Sequence, residues 1–192
     1  MKIIFLDNDG VICLYNTFGS RYKKRRKVYT YDSPRREGEI MPVDLRFDSF
    51  DKKAIIVLNY ILLETDAEIV VSSDWKLSAN LQELGDYYEA QGIIKRPIAF
   101  TPNLNEFDSD TYSMFYYKQW FEKIRILEIN QYLKLNPNIT KWVAVDDMDL
   151  SPQENGGFGL ESFVKTPRVM EGIKQVGIRE KITNILNNET TL

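Results

Sequence analysis

The chain has 192 residues, of which 43% are hydrophobic and 28% are charged, and its formal net charge is −3. This composition and length are typical of one globular domain that buries a full core without disulfides or structural metal. The sequence contains no histidine, which excludes Ser/His/Asp triads, Cys/His dyads and His-ligated zinc sites. Any catalysis must therefore use carboxylates, Lys, Arg or Tyr.

The first part of the chain predicts a strand, an insertion, a helix and a second strand. The apolar run Lys2–Leu6 is typical of a buried strand. Residues 13–50 are polar and punctuated by Gly and Pro, and we expect a small basic cap or β-hairpin there rather than an independent domain. Residues 51–63 carry apolar side chains at helical spacing and predict a helix, and Glu68–Ser72 predicts a second buried strand.

The rest of the chain continues the alternation. Residues 97–118 are irregular and aromatic-rich, and we interpret them as a second lid segment. Residues 124–135 predict a helix, Lys141–Val145 a third buried strand, and residues 170–186 a helix that closes the domain. Strands that alternate with helices indicate the α/β class, with a mainly parallel sheet sandwiched between helices in a single domain over residues 1–192.

The predicted insertion carries an excess of positive charge. Residues 11–50 contain nine Lys or Arg and five Asp or Glu, although the whole chain is acidic. Much of this charge lies in Arg21–Lys27, with Tyr29 and Tyr31 shortly after it. One interpretation is a solvated loop, and the other is a local patch that makes weak contact with a nucleic acid.

The beginning of the chain and its single cysteine bear on its location. The first ten residues contain a short apolar run broken by two aspartates, which fits neither a signal peptide nor a membrane span. Cys13 cannot pair within the chain and is expected to be an inert core residue, which weakly favours a reducing compartment. We expect a soluble, cytoplasmic protein without a membrane partner, and the sequence leaves its oligomeric state open.

Acidic and hydroxyl side chains follow each of the three predicted strands. In parallel sheets, ligands bind at the carboxyl ends of the strands, so these residues are expected to converge. Clustered carboxylates repel one another, and a divalent cation offsets that repulsion. Ligation by oxygen alone favours Mg²⁺. The candidate metal-site residues are Asp7 and Asp9 after the first strand and Asp146 and Asp147 after the third.

The same residues suggest phosphoryl transfer. Asp7 is placed to attack phosphorus and form an aspartyl phosphate, and Asp9 to protonate the leaving oxygen and later take a proton from water. Ser72 would donate a hydrogen bond to a phosphoryl oxygen, and Gly10 would let the backbone approach the phosphate. A cation must offset the charge of the transferring group, and Arg125 is the preferred candidate.

The sequence allows other interpretations of the candidate cation and of the serines. Lys118 and Lys123 are alternatives to Arg125, and a pair between Arg125 and a glutamate on the surface of its helix is the alternative to a catalytic role. Ser72 and Ser73 would also serve as a helix N-cap. Four further residues are interpreted as structural: Trp75 and Trp142 as packing residues, and Lys165 and Thr166 as part of a solvated turn.

Four short motifs make the chain resemble the haloacid dehalogenase-like (HAD) phosphohydrolase superfamily. Phe5–Val11 matches the signature hhDxDGx, in which h is hydrophobic, and Ile69–Ser72 matches an apolar run that ends in Ser or Thr. A basic residue on a helix and the acidic pair that ends Val143–Asp147 supply the other two. The resemblance implies a Rossmann-like three-layer sandwich and an Mg²⁺-dependent phosphatase, with Asp7 as nucleophile and Asp9 as acid/base.

A narrower resemblance is to the HAD domain of Swiss Army Knife RNA repair proteins, whose motifs are SSxWR, RxxEI, DD and VKT. The corresponding segments here are Val70–Lys76, Arg125–Ile129, Val145–Asp147 and Phe163–Thr166, with Gly172 following. The resemblance implies that the side chains of Asp7 and Asp147 and the backbone carbonyl of Asp9 hold the metal. Asp146 would lie behind these ligands without contacting the metal. Lys76 departs from the motif, which has Arg, and the basic insertion is longer than a minimal cap; both put the substrate in doubt.

These observations lead to a functional hypothesis. We expect a phosphomonoesterase whose substrate is a phosphorylated small molecule, such as a nucleotide, or a terminal phosphate on a nucleic acid. A HAD-like module that binds a phosphorylated partner or a nucleic acid without hydrolysis is the alternative, and a phosphotransferase or dehalogenase would use the same nucleophile. The residues assigned to substrate binding are Gly10, Ser73, Lys76 and Lys123.

Overall fold

The computed structural model describes residues 1–14, 46–104, 117–167 and 169–187, with only the backbone given for residues 117–119. Most of the predicted insertion at 13–50, including Arg21–Lys27, lies outside the described residues. Much of the expected second lid segment and the side chain of Lys118 also lie outside them. The predicted domain extends to residue 192, and its last five residues lie outside them too.

Five parallel strands form one sheet, in the spatial order β3-β2-β1-β4-β5. The predicted α/β class with a parallel sheet is therefore confirmed. Strand β1 lies in the centre, where Ile3 is opposite Glu68 of β2 on one side and Trp142 of β4 on the other. The strands are β1 Lys2–Leu6, β2 Glu68–Val71, β3 Pro97–Phe100, β4 Lys141–Asp146 and β5 Phe163–Lys165.

Two of these strands correct the sequence-based expectations. Pro97–Phe100 was assigned to an irregular segment, but it pairs with β2 at the edge of the sheet. A proline is tolerated at the first residue of an edge strand, where no ladder hydrogen bond needs its missing N–H. Lys165 and Thr166 were assigned to a solvated turn, but Lys165 ends β5 and Thr166 is fully buried.

The described residues also form four α-helices and two 3₁₀ turns, of which the last turn and the last helix follow the final strand. The predicted helix at 51–63 is observed as α1, which Asp51 caps by accepting hydrogen bonds from the N–H groups of Lys53 and Ala54. The predicted closing helix is shorter than expected, because Gly177 adopts a left-handed conformation immediately before it. The helices are α1 Lys52–Thr65, α2 Leu81–Gln91, α3 Tyr117–Leu135 and α4 Ile178–Asn187; the 3₁₀ turns are Asp74–Leu77 and Gly172–Lys174.

The side chains of β1 alternate between two apolar layers, as the pleat of a strand requires. Ile4 and Leu6 pack in the larger layer, which includes buried side chains of α1, α2 and α4. Ile3 and Phe5 pack in the smaller layer against α3. Helices therefore cover both faces of the sheet. None of the described helices is long and apolar enough to cross a membrane.

The register aligns the ends of three strands at this carboxyl edge. The Asp7 N–H donates to the carbonyl of Val145 at 3.0 Å, and the Ser72 N–H donates to the carbonyl of Leu6 at 2.9 Å. These two bonds continue the ladder one residue past β1 and past β2. They place the residue that follows β1 between Ser72 on one side and the end of β4 on the other.

The larger apolar layer gives a test of this architecture. Leu58 is fully buried on the inner face of α1, whereas Leu63 on the same helix is 70% exposed. We predict that Leu58→Ala lowers the free energy of unfolding by about 2–5 kcal/mol, because it removes apolar contacts and leaves a cavity. Leu63→Ala is the matched control and should change it by less than about 0.5 kcal/mol. Urea denaturation measures both, and equal effects would contradict the described orientation of α1.

Candidate active site

The loop after β1 turns sharply and is held by its own backbone. The carbonyl of Asn8 accepts hydrogen bonds from the N–H groups of three residues: Val11, Ile12 and Cys13. Gly10 adopts a φ of 72°, a conformation that L side chains rarely adopt. A Cβ at this position would also collide with the carboxylate of Asp147. Glycine is therefore required both by the turn and by the approach of the acidic residue.

Three carboxylates meet where the sheet ends. Asp7, Asp146 and Asp147 each offer an oxygen, and these oxygens all lie within 4.8 Å of one another. Asp7 and Asp146 are buried, and Asp147 is partly exposed. The structure thus brings together the side chains of three of the four predicted metal-site residues, and Asp146 is among them. The carboxylate of Asp9 instead accepts a hydrogen bond from the indole N–H of Trp75 at 3.1 Å.

Arg125 of α3 reaches into this acidic cluster. Its Nη1 lies 3.2 Å from Oδ1 of Asp7 and 3.2 Å from Oδ2 of Asp146. The same nitrogen donates to the backbone carbonyl of Ser72, and Nη2 lies 3.2 Å from Oδ1 of Asp74. Only 6% of Arg125 is exposed, so it does not form the surface glutamate pair that was the alternative. Lys123, two residues earlier, is exposed.

Burial and neighbouring charges shift the pKa values of Asp7, Asp146 and Arg125. Burial and the neighbouring Asp146 raise the pKa of Asp7 well above its usual value, and Arg125 opposes this rise. Burial raises the pKa of Asp146 from 3.8 to about 6, although Arg125 acts in the opposite direction. Burial alone would lower the pKa of Arg125, but the adjacent aspartates raise it above its usual value. One guanidinium therefore does not offset three carboxylates, and a cation would lower the pKa of each acid.

Two serines flank the nucleophile candidate on the β2 side. Ser72 is 2% exposed, and its hydroxyl has no hydrogen-bond partner among the described residues. Buried hydroxyls are usually satisfied, so an unsatisfied one beside Asp7 is suited to bind a ligand oxygen. Ser73 is also buried, and its hydroxyl likewise has no hydrogen-bond partner among the described residues. Ser73 lies at the N-cap position of the 3₁₀ turn but makes no capping hydrogen bond through its side chain.

Lys76 forms a buried ion pair with Glu128 of α3. Its Nζ lies 2.5 Å from Oε2 of Glu128, and the two side chains are 5% and 3% exposed. The ammonium also donates to Oγ1 of Thr101 at 3.1 Å and to the carbonyl of Pro102 at 3.0 Å. An ammonium has three donors, and these three contacts use them all. Lys76 therefore joins the 3₁₀ turn to the helix that carries Arg125. The sequence-based assignment of Lys76 to substrate binding did not include this structural contact.

The segment after β5 supports the β1 loop from the other side. Thr166 donates through Oγ1 to the carbonyl of Gly10 at 3.2 Å, and its N–H donates to the carbonyl of Asp146 at 2.9 Å. Gly172 packs so closely that an added Cβ would collide with the carbonyl of Val11. The VKT motif contains Thr166, but its pattern alone does not indicate this role, because the burial of the side chain depends on β5.

Trp75 was interpreted as a packing residue, and the structure adds a polar contact. Its ring stacks on Phe47 with centroids 4.2 Å apart and an interplanar angle of 9°, and it is only 6% exposed. Its indole N–H is the donor to Asp9 described above. The sequence offered one signal for this second role, namely the tryptophan of the SSxWR motif three residues after Ser72.

One comparison with known proteins finds a match. The family described as "HAD domain in Swiss Army Knife RNA repair proteins" matches residues 3–175, which include every candidate site residue discussed above. No curated protein and no solved structure is significantly similar to the chain.

The buried ion pair predicts a large effect of a single substitution. Lys76→Met would leave the carboxylate of Glu128 buried without its cation, and we expect a loss of about 3–5 kcal/mol in the free energy of unfolding. Lys95→Met is the matched control, because Lys95 pairs at the surface with Asp66 and Glu68. That substitution should cost about 1 kcal/mol or less. Comparable losses in urea denaturation would show that the Lys76 pair is not buried.

The raised pKa of Asp146 predicts how stability depends on pH in the presence of a chelator. Between about pH 4 and 6 the folded protein holds a proton on Asp146 that the unfolded chain has released, so this residue reduces stability as the pH rises. Asp146→Asn keeps the shape and does not titrate. The free energy of unfolding of the variant minus that of the wild type should rise by up to about 3 kcal/mol between pH 4 and 7.

Denaturation at several pH values, with the chelator present throughout, measures this difference. A difference that stays constant from pH 4 to 8 would contradict the raised pKa. Adding Mg²⁺ at pH 7 should raise the melting temperature of the wild type more than that of Asp146→Asn, because the variant lacks one carboxylate of the cluster.

Proposed function

The chain belongs to the HAD domain family of Swiss Army Knife RNA repair proteins, and on this basis we propose that it is an Mg²⁺-dependent phosphatase that acts through an aspartyl phosphate. The observation that supports the proposal most is the arrangement around Asp7. This carboxylate lies at the end of the central strand, beside two further aspartates, a buried arginine and an unsatisfied serine hydroxyl. Together these groups provide a nucleophile, a metal site, a countercharge and a donor for a phosphoryl oxygen.

The donor set fits a hard divalent cation. Asp7, Asp146 and Asp147 offer only carboxylate oxygens, and burial, with a smaller contribution from the neighbouring aspartates, raises the pKa values of Asp7 and Asp146. Oxygen ligands at this spacing suit Mg²⁺, which keeps several waters and also binds substrate phosphate. When bound, the ion would neutralise the carboxylates and the phosphate, so that anionic Asp7 can approach anionic phosphate.

The protein residues divide the chemical steps among them. An oxygen of Asp7 attacks phosphorus in line, and the bond from phosphorus to the leaving oxygen breaks. Asp9 gives its proton to that oxygen, so the product leaves as an alcohol. Asp9 then takes a proton from water, whose oxygen attacks phosphorus. The bond between phosphorus and Asp7 breaks, and inorganic phosphate leaves.

Arg125 and Ser72 are proposed to act on the phosphoryl group. Arg125 is held by Asp7 and Asp146, so its charge is fixed beside the nucleophile before substrate arrives. Such preorganised charge stabilises a transition state without further reorganisation. The hydroxyl of Ser72 would complete its hydrogen bonding by donating to a phosphoryl oxygen. Ser73, and the backbone at Gly10, border the same space.

For the substrate, we propose a nucleotide or a terminal phosphate on a nucleic acid. The support is the family description, which names RNA repair proteins, and the basic composition of Arg21–Lys27. Lys123 remains a candidate contact for such a substrate, because it is exposed on the helix that carries Arg125. The cytoplasmic location remains a prediction from the sequence.

Asp7→Asn tests the activity. We predict that this variant loses at least about 10³-fold in turnover of p-nitrophenyl phosphate with Mg²⁺, because an amide is not a nucleophile. Chelation of the metal should abolish wild-type turnover in the same assay. Asp66→Asn is the matched control: Asp66 is an exposed residue that ends α1 in a left-handed conformation that Asn tolerates, and its variant should keep wild-type activity.

Two outcomes would reject the proposal. One is retained turnover in folded Asp7→Asn, and the other is wild-type protein that binds phosphorylated ligands but releases no phosphate. A screen of mononucleotides, sugar phosphates and oligonucleotides phosphorylated at the 3′ or 5′ end would then identify the substrate class or the ligand.

A further inference from the structure

We propose that Trp75 is a positioning residue that holds the carboxylate of Asp9 in the orientation needed for proton transfer. The inference rests on the proposed phosphatase function. Its first support is the hydrogen bond from Nε1 of Trp75 to Oδ2 of Asp9, at 3.1 Å. Trp75 is 6% exposed, so this bond forms largely out of water, where a hydrogen bond is electrostatically stronger.

The indole ring is itself held in place by aromatic neighbours. Phe47 stacks on Trp75 at 4.2 Å, and Phe50 stacks on it at 5.4 Å with an interplanar angle of 20°. Tyr87 lies against the same ring at 6.2 Å, and Phe50 meets Tyr88 edge to face at 5.2 Å. A ring packed in this way cannot turn without disturbing several others, so the direction of its N–H is fixed.

A second donor from the same aromatic cluster holds the residue next to Asp9. The hydroxyl of Tyr88 donates to Oδ1 of Asn8 at 2.5 Å. Trp75 and Tyr88 therefore bind two successive side chains of the β1 loop from one packed group. The backbone of that loop is fixed by hydrogen bonds to the carbonyl of Asn8, and the aromatic donors fix the side chains that project from it.

The chemistry of indole suits this task. Its N–H is a donor only, and it neither accepts nor releases a proton in the working pH range. Trp75 can therefore orient Asp9 without competing for the proton that Asp9 transfers. A lysine or arginine here would add a charge beside the acid, and a serine hydroxyl would rotate between donor and acceptor roles.

A positioning role has a signature that depends on the leaving group. General-acid catalysis matters most when the leaving oxygen is strongly basic, as in an alkyl phosphate. It matters little for p-nitrophenyl phosphate, whose phenolate leaves without a proton. Loss of the Trp75 N–H should therefore lower kcat/KM for the alkyl phosphate selectively. A purely structural role of Trp75 would lower kcat/KM for both substrates by the same factor.

The experiment compares Trp75→Phe with the wild type on p-nitrophenyl phosphate and glycerol 2-phosphate, with Mg²⁺. We expect kcat/KM to fall roughly 10- to 100-fold for glycerol 2-phosphate and less than about 3-fold for p-nitrophenyl phosphate. Asp9→Asn serves as the reference and should show the same selectivity, with a larger loss. Trp142→Phe is the matched control, because Trp142 packs against Phe5 in the smaller apolar layer, and it should change neither value.

A second variant covers the case in which Trp75→Phe does not fold. In a background where Trp120 and Trp142 are replaced by Phe, Trp75 is replaced by benzothienylalanine, whose ring keeps the shape of indole but lacks the N–H. The Mg²⁺-induced rise in melting temperature reports that the metal site is intact in each variant. The benzothienyl protein should show the same selective loss relative to its tryptophan-containing background.

Three outcomes separate the hypotheses. Selective loss in the Trp75 variants and in Asp9→Asn supports the inference. Selective loss in Asp9→Asn alone overturns the role of Trp75 and leaves the proposed function standing. If the wild type releases phosphate from neither of these substrates nor from the nucleotides and phosphorylated oligonucleotides screened above, the proposed function fails and the inference fails with it.

Discussion

The guanidinium of Arg125 lies between the carboxylates of Asp7 and Asp146, and the arrangement of the site depends on this contact. Burying charges is expensive unless each is paired, and an arginine fork can pair several oxygens at once. Asp147 adds a third carboxylate that this single cation does not match. Burial and, to a smaller extent, the neighbouring aspartates raise the pKa values of Asp7 and Asp146. A bound cation, as proposed above, would offset this buried negative charge.

The position of Arg125 is in turn secured away from the chemistry. Glu128 lies one turn further along α3 and forms the buried pair with Lys76. Because Lys76 belongs to the 3₁₀ turn that follows Ser72 and Ser73, this pair fixes α3 against the end of β2. A buried ion pair of this kind contributes little net stability compared with apolar packing, but its loss is costly. It specifies one alignment of helix and strand, and the contact between Arg125 and Asp7 requires that alignment.

The sequence allowed the centre of this protein to be predicted better than its edges. Strands β1, β2 and β4 are continuous apolar runs, because both of their faces are buried, and the acids that follow them were expected to meet. Strand β5 has only three residues and β3 begins with proline, so pairing with neighbours decides both. The structure places Arg125 in the acidic cluster and Lys123 at the surface, since residues two apart on a helix do not share a face. The partner of Lys76 and the polar role of Trp75 were missed, since both depend on contacts between elements distant in the chain.

The two aspartates of the β1 loop are held by different kinds of interaction, although only one residue separates them. Asp7 continues the hydrogen-bonded ladder of the sheet and is fixed by backbone bonds and by Arg125. Asp9 lies beyond the ladder and is held by a packed group of aromatic side chains from the residues before α1, from the 3₁₀ turn and from α2. In the proposed mechanism, phosphoryl capture would therefore depend on the sheet, which all the strands stabilise together, and proton transfer would depend on side-chain packing. Phe47 and Phe50 form the end of the predicted insertion at residues 13–50, so side chains of that insertion help to hold the indole that contacts Asp9.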